Sequence, residues 1–310
     1  MSNTEFPSDI FVSLQDLLRL EHHARNFSFL AKKQKVRSVL GGKHASKLRG
    51  RGLDFEEVRN YVAGDDIRNI DWKVTARTQK THSKVFSEEK EKPALIFVDQ
   101  SKTMFFGSQK KTKSVVAAEL AAMVAFRILK EGDRVGGIVF GTEGVDIVFP
   151  KRDRKNILRF LEKIVYRNQQ LKNHVELKFE IQLKEMLAKM RNIVTHDFLI
   201  FIISDFQRYS PEVIKAIKLL SQHNDVICAK IFDPMERDIP VIKYVAGDRQ
   251  KQILVDGTNQ KLRKNFKEGF EKDYSGFEAQ MKKHQIPIFL LDTISDVDVQ
   301  LKEILKGGRI

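Results

Sequence analysis

From Pro93 onward, short apolar runs alternate with longer amphipathic stretches. Ala94-Leu95-Ile96-Phe97-Val98 has no period-two alternation, which suits a strand buried on both faces. A helix over 111–130 follows, ending at Glu131-Gly132. Then come a strand over 135–140, a shorter one over 145–149, and helices near 154–165 and 176–191. The most apolar run, Phe198 to Ile203, predicts the second long buried strand. Ser210-Pro211 opens the next helix, because proline fits the first helical turn. The remainder reads as a strand over 226–231, a hairpin over 241–255, a charged helix over 261–283, a strand over 286–291 and a helix over 297–305.

Strands alternating with helices imply an α/β fold, a mostly parallel sheet with helices on both faces. Ligands of such sheets sit beyond the carboxyl ends of the strands, where strand order reverses. The loops leaving 94–98 and 198–203 are therefore the ones to inspect. Upstream the pattern is weaker. Residues 11–37 look helical through Leu14, Leu17, Leu18, Leu30 and Ala31, and a glycine-punctuated loop follows over 41–52. Residues 53–62 fit either a strand or a helix. Asp65 or Asp66 can cap a short helix carrying Ile67, Ile70 and Trp72. The chain is thus expected to divide into an N-terminal helical and irregular extension, 1–92, and an α/β domain, 93–310.

Charge changes this picture in one place. The net charge is +14, and the segment from His22 to Leu53 holds nine Lys and Arg with no Asp or Glu. That stretch is an electrostatic footprint for an acidic protein, an anionic lipid surface or nucleic acid. Only Phe27 and Phe29 lie within it, which makes a poor stacking platform for single-stranded nucleic acid. The single cysteine, Cys228, excludes an internal disulfide framework and sits inside an apolar strand. No apolar stretch approaches the roughly 18 residues of a membrane span, and the N-terminus lacks a signal-peptide pattern. A cytoplasmic protein is expected.

The candidate chemistry lies at the two strand ends. The first long strand runs into Asp99-Gln100-Ser101-Lys102-Thr103, and the second into Ser204-Asp205-Phe206. A turning loop can aim alternate side chains inward, bringing Asp99, Ser101 and Thr103 toward one ion with Asp205 opposite. These hard oxygen donors suit Mg²⁺, Ca²⁺ or Mn²⁺ rather than zinc. Equally, Asp99 and Ser101 can simply cap the next helix and satisfy loop amides. There is no phosphate loop, no Gly-x-Gly-x-x-Gly after the first strand and no Gly-x-Ser-x-Gly elbow. The eight histidines show no zinc spacing. A metal-dependent phosphoester hydrolase would need more carboxylates than these.

Further motifs fix a resemblance. The order of a buried strand, Asp99-x-Ser101-x-Thr103, a long helix and a second buried strand ending in Ser204-Asp205 resembles a von Willebrand factor A (Rossmann-like) domain. The upstream elements Gly50-Arg51-Gly52-Leu53-Asp54-Phe55, Arg59-x-Tyr61, Gly64 to Trp72 and Ala76-Arg77-Thr78 resemble the signature of the bacterial family called domain of unknown function 58. Lys113, Gly132 to Gly136 and Asp233 to Arg237 also fit it. The resemblance implies a non-enzymatic interaction module. Its expected partners are a MoxR-type AAA+ ATPase and a client protein, in complex assembly or stress response, with nucleic acid disfavoured. It also implies a metal-ion-dependent adhesion site at Asp99, Ser101, Thr103 and Asp205. A-type domains usually add a threonine before the helix at 176–191. Residues 168–176 here contain neither Thr nor Ser, so Asn173 or Glu176 would have to substitute, or the ion is weakly held. Arg59, Asp65, Asp66, Arg68, Asp71 and Trp72 form either a docking surface or a structural fastening with Trp72 in the core and Asp71 paired to Arg68.

Overall fold

The computed structural model describes residues 7–24, 53–88, 92–142, 144–172, 190, 192–207, 210–247 and 252–306. They fall into two compact units, one spanning Gln34–Glu91 and the other combining Met1–Lys33 with Lys92–Ile310. The break between Glu91 and Lys92 separates the two units, while Met1–Lys33 group with the larger one. Helix α1 (Leu14–His23) belongs to the larger one, with Leu17 fully buried in its core. Ser13 and Asp16 form a reciprocal capping box at its start. The rest of the helix expected over 11–37, the glycine-rich loop and nearly all of the basic segment lie outside the described residues.

In the smaller unit, β1 (Leu53–Asn60) pairs antiparallel with β2 (His82–Glu88), with an irregularity between Phe55 and Glu57. Between them lie a single 3-10 turn, Ile67–Asn69, and helix α2 (Trp72–Thr78). Residues 53–60 of the ambiguous 53–62 block thus form a strand. Its partner, β2, was not foreseen from the sequence.

The larger unit continues with β3 (Ala94–Gln100), α3 (Lys113–Glu131), β4 (Val135–Gly141), β5 (Gly144–Lys151) and α4 (Arg154–Gln170). After it come β6 (Leu199–Ser204), α5 (Pro211–Leu220), β7 (Asp225–Phe232) and a helical turn at Pro234–Arg237. The hairpin strands β8 (Lys243–Gly247) and β9 (Gln252–Asp256), then α6 (Gln260–Lys282), β10 (Ile288–Asp292) and α7 (Val297–Leu305), complete it. Most of the helix expected over 176–191 is outside the described residues.

Among the described residues, six strands form one sheet in the order β10-β7-β6-β3-β4-β5, all parallel except β5, which pairs antiparallel with β4. The pleat sends Ala94, Ile96 and Val98 to the face covered by α1, α3, α4 and α7, and Leu95 and Phe97 to the face covered by α5 and Met281 of α6. Both faces are dry, which is why the strand shows no polar alternation. Helix α4 approaches so closely that a Cβ on Gly137 of β4 would meet the Phe160 ring at 2.0 Å. Gly132 (φ +95°) ends α3 in the left-handed conformation.

The first strand, β3, lies in the middle of the sheet. The chain proceeds from it to β4 and β5 on one side, then crosses back to β6, β7 and β10 on the other. Strand order reverses between β3 and β6, so their carboxyl ends flank the crevice.

Candidate functional site

The register of β3 on β6 pairs Val98 with Ile203. The next residues, Asp99 and Ser204, continue the face that carries Leu95, Phe97, Ile200 and Ile202. Two polar side chains therefore meet beyond the apolar layer, and Ser204 Oγ donates to Asp99 Oδ2 at 2.6 Å. The other Asp99 oxygen accepts the Ser101 N–H at 2.9 Å, turning the loop. The hydroxyls of Ser101 and Thr103 lie 3.2 Å apart. Gln100 points to the opposite face, where its side chain donates to the Ser114 carbonyl and accepts from Asn168. Asn168 also accepts the Val12 N–H.

Asp99 and Ser101 are fully buried, and Thr103 is half-buried. Burial first, and the nearby Asp205 carboxylate second, push the Asp99 carboxyl up to about 6. Hydrogen bonds from Ser204 and Ser101 oppose that rise. Asp205 is buried as well; Gln207 N–H donates to its Oδ1 at 3.1 Å. Its Oδ2 accepts from the Lys113 ammonium at 2.8 Å, and the same ammonium reaches Glu236 Oε1 at 2.5 Å. Burial pulls Lys113 down, but the Asp205 and Glu236 carboxylates outweigh it and hold the ammonium above its ordinary range. A second buried ammonium, Lys230, donates to the Asp205 backbone carbonyl at 2.5 Å; its burial lowers its basicity despite the same carboxylates.

The Asp233-Pro234 turn is part of this edge. Asp233 accepts from Ser108 N–H at 2.8 Å and from the Thr293 hydroxyl at 2.6 Å, while Glu236 reaches back to the Asp233 N–H. It ties the loop after β3 to the loop after β10. Lys230 carries no role in the sequence reading, and Lys113 and Glu236 enter it only as motif positions. One signal was available: a charged residue within the apolar run 226–231 needs a buried partner.

The four expected ligands thus come together at the β3–β6 edge, with Asp205 already paired to a lysine. Among the described residues no group of three or more His, Cys, Asp or Glu is arranged to hold a metal ion. A hard ion would rest on the Asp99 carboxylate and the Ser101 and Thr103 hydroxyls, whose 3.2 Å separation suits two neighbouring positions around Mg²⁺. Residues 173–176, where Asn173 and Glu176 were weighed as substitutes, lie outside the described residues. Cys228 is a core residue whose thiol burial drives well above its usual range.

In the smaller unit, Arg59 pairs with Asp65 at 2.7 Å, and Asp65 also accepts the Val62 N–H. The Arg59 hydrogen bond keeps the Asp65 carboxyl below its ordinary range. Asp66 caps the 3-10 turn through Arg68 N–H, and Asp71 caps α2 through Lys73 and Val74. The structural fastening weighed for this segment needs correction. Asp71 pairs with Lys84, Arg68 with Asp66, and Trp72 is 70% exposed rather than in a core. Ile67 and Val62 are exposed too. The helix start fixes the Trp72 backbone while its ring stays largely exposed.

Residues 57–275, more than half of the chain, match the family described as Protein of unknown function DUF58. The chain belongs to this family. Other proteins similar to it include uncharacterized proteins of Mycobacterium bovis and Mycobacterium tuberculosis, 26% identical over 212 residues, covering 68% of this chain and 65% of theirs. The chain therefore spans just under two thirds of the length of the curated relatives it matches. Among solved structures, this DUF58 chain is similar to conserved hypothetical protein BatB from Bacteroides thetaiotaomicron, at 19% identity over 69% of this chain and 95% of that one, TM-score 0.44. It is also similar to the SpRpn10 VWA domain, at 12% identity, 71% and 99% coverage, TM-score 0.38. The mostly parallel sheet covered on both faces is the α/β architecture expected. No helix among the described residues is long and apolar enough to cross a membrane.

Proposed function

We propose that this DUF58 chain is a non-enzymatic protein-interaction module that grips its partner through a divalent ion at Asp99, Ser101 and Thr103, with Asp205 behind them. The observation that carries this reading is the convergence of those side chains at the crevice between β3 and β6, the Ser101 and Thr103 hydroxyls 3.2 Å apart. When bound, Mg²⁺ (or Ca²⁺ or Mn²⁺) supplies a hard centre that keeps waters, one of which a partner carboxylate can replace. The chain's own residues set the geometry. Ser204 and the Ser101 N–H orient the Asp99 carboxylate, and Thr103 stands at the half-buried rim.

The partner proposed from the family resemblance is a MoxR-type AAA+ ATPase, with a client protein captured by the same complex. The exposed Val62, Ile67 and Trp72 of the smaller unit, beside Arg59, Asp65, Asp66, Arg68 and Asp71, support a second contact surface there. Apolar side chains rimmed by charge are the ordinary composition of a protein interface. The test is capture of a purified MoxR-type ATPase by the immobilised full chain in Mg²⁺. Wild type should retain it and Asp99→Ala should not; equal retention would remove the metal-dependent reading.

A further inference from the structure

The ammonium of Lys113 occupies a position that its burial makes costly. It is the first residue of α3, only 1% exposed, and it touches Asp205 at 2.8 Å and Glu236 at 2.5 Å. Replacing a buried ion pair by apolar residues is often neutral or stabilising, so such a pair is weak evidence of a role in stability. The surroundings suggest another role. Asp205 lies at the end of the strand beside Asp99, close enough to raise the Asp99 carboxyl, and a second ammonium, Lys230, sits on its backbone carbonyl. The chain's own cations therefore already serve the Asp205 side of the crevice. A divalent ion on the Asp99–Ser101–Thr103 side meets a carboxylate that has been neutralised, and a fixed positive charge in a low-dielectric setting.

We propose that Lys113 is the residue that sets the metal affinity of this site, acting as a tethered cation that withholds Asp205 and keeps the divalent ion weakly held. The inference rests on the metal-site reading of Asp99, Ser101 and Thr103. Lys113 is a positioning residue here: it touches Asp205 and Glu236, and it tunes the ion through them. The arrangement makes ion binding readily reversible, so occupancy follows the supply of divalent ion and of a partner carboxylate to complete the shell.

The experiment is calorimetric titration of the full chain with MgCl₂ at constant ionic strength. Lys113→Gln keeps a hydrogen-bond donor facing Asp205 and removes the charge; it should bind Mg²⁺ at least about tenfold more tightly than wild type. Glu236→Gln leaves Asp205 as the one carboxylate on Lys113 and should weaken Mg²⁺ binding by about threefold or more. It decides the matter if Lys113→Gln does not fold. Wild-type or weaker affinity in Lys113→Gln, or unchanged or tighter affinity in Glu236→Gln, overturns this role and leaves the metal site standing. Absence of Mg²⁺ binding in wild type and both variants overturns the metal-site reading and this inference together.

Discussion

Ser204 Oγ sits 2.6 Å from Asp99 Oδ2, joining the ends of two parallel strands that are 105 residues apart in sequence. The bond is a consequence of register: Val98 faces Ile203, so the next residue of each strand meets its counterpart on the same face. An acceptor with charge, buried where strand order reverses, gains its donor from the neighbouring strand. Ser204→Ala removes this donor from a buried carboxylate and should cost about 1–3 kcal/mol in chemical denaturation. Loss of nothing measurable would mean that the loop rearranges to satisfy Asp99 in another way.

The Asp99 carboxyl stands at about 6 in the folded chain against 3.8 as its ordinary value. The folded state thus binds this proton more tightly than the unfolded state. Stability from this group is gained as pH falls through about 6, is fully present below about 4, and is lost as pH rises above 6. Between pH 7.5 and pH 5, metal-free wild type should gain about 2–4 °C more in Tm than Asp99→Asn. Parallel pH profiles for the two proteins would contradict the burial assigned to this carboxylate.

Trp72 is the only tryptophan in the chain and is 70% exposed, so its fluorescence reports on the smaller unit alone. Acrylamide should quench it strongly, and Trp72→Ala should change stability by no more than about 0.5 kcal/mol. If the same substitution abolishes capture of the ATPase, the ring is a contact residue. A blue-shifted, quencher-resistant emission from the free chain would place it in a core instead.

Gly137 is a scaffold position. Its missing Cβ makes room for the Phe160 ring, which a methyl group would meet at 2.0 Å. Gly137→Ala should cost about 1–3 kcal/mol by overpacking, read by chemical denaturation.

The α/β domain was legible because its strands are dry on both faces, so Ala94–Val98 and Phe198–Ile203 announce themselves as unbroken apolar runs. The ends of those runs then pointed to Asp99 and Asp205 without any knowledge of geometry. The smaller unit was harder. His82–Glu88 carries only Val85 and Phe86 as apolar residues, too few to mark a strand. Trp72 misled because a large aromatic is usually buried, whereas here it begins an exposed helix. The Lys113 cluster was out of reach for a different reason. Its partners lie 92 and 123 residues away, and only the packing of α3 against the ends of β6 and β7 brings them together.

The most direct test is titration of Mn²⁺ into the full chain, followed by electron paramagnetic resonance, for wild type and for Ser101→Ala. Wild type should take up one ion per chain, and loss of the Ser101 hydroxyl should weaken uptake at least about tenfold. No uptake by wild type, or equal uptake by Ser101→Ala, would contradict a metal-ion site at the Asp99–Thr103 loop.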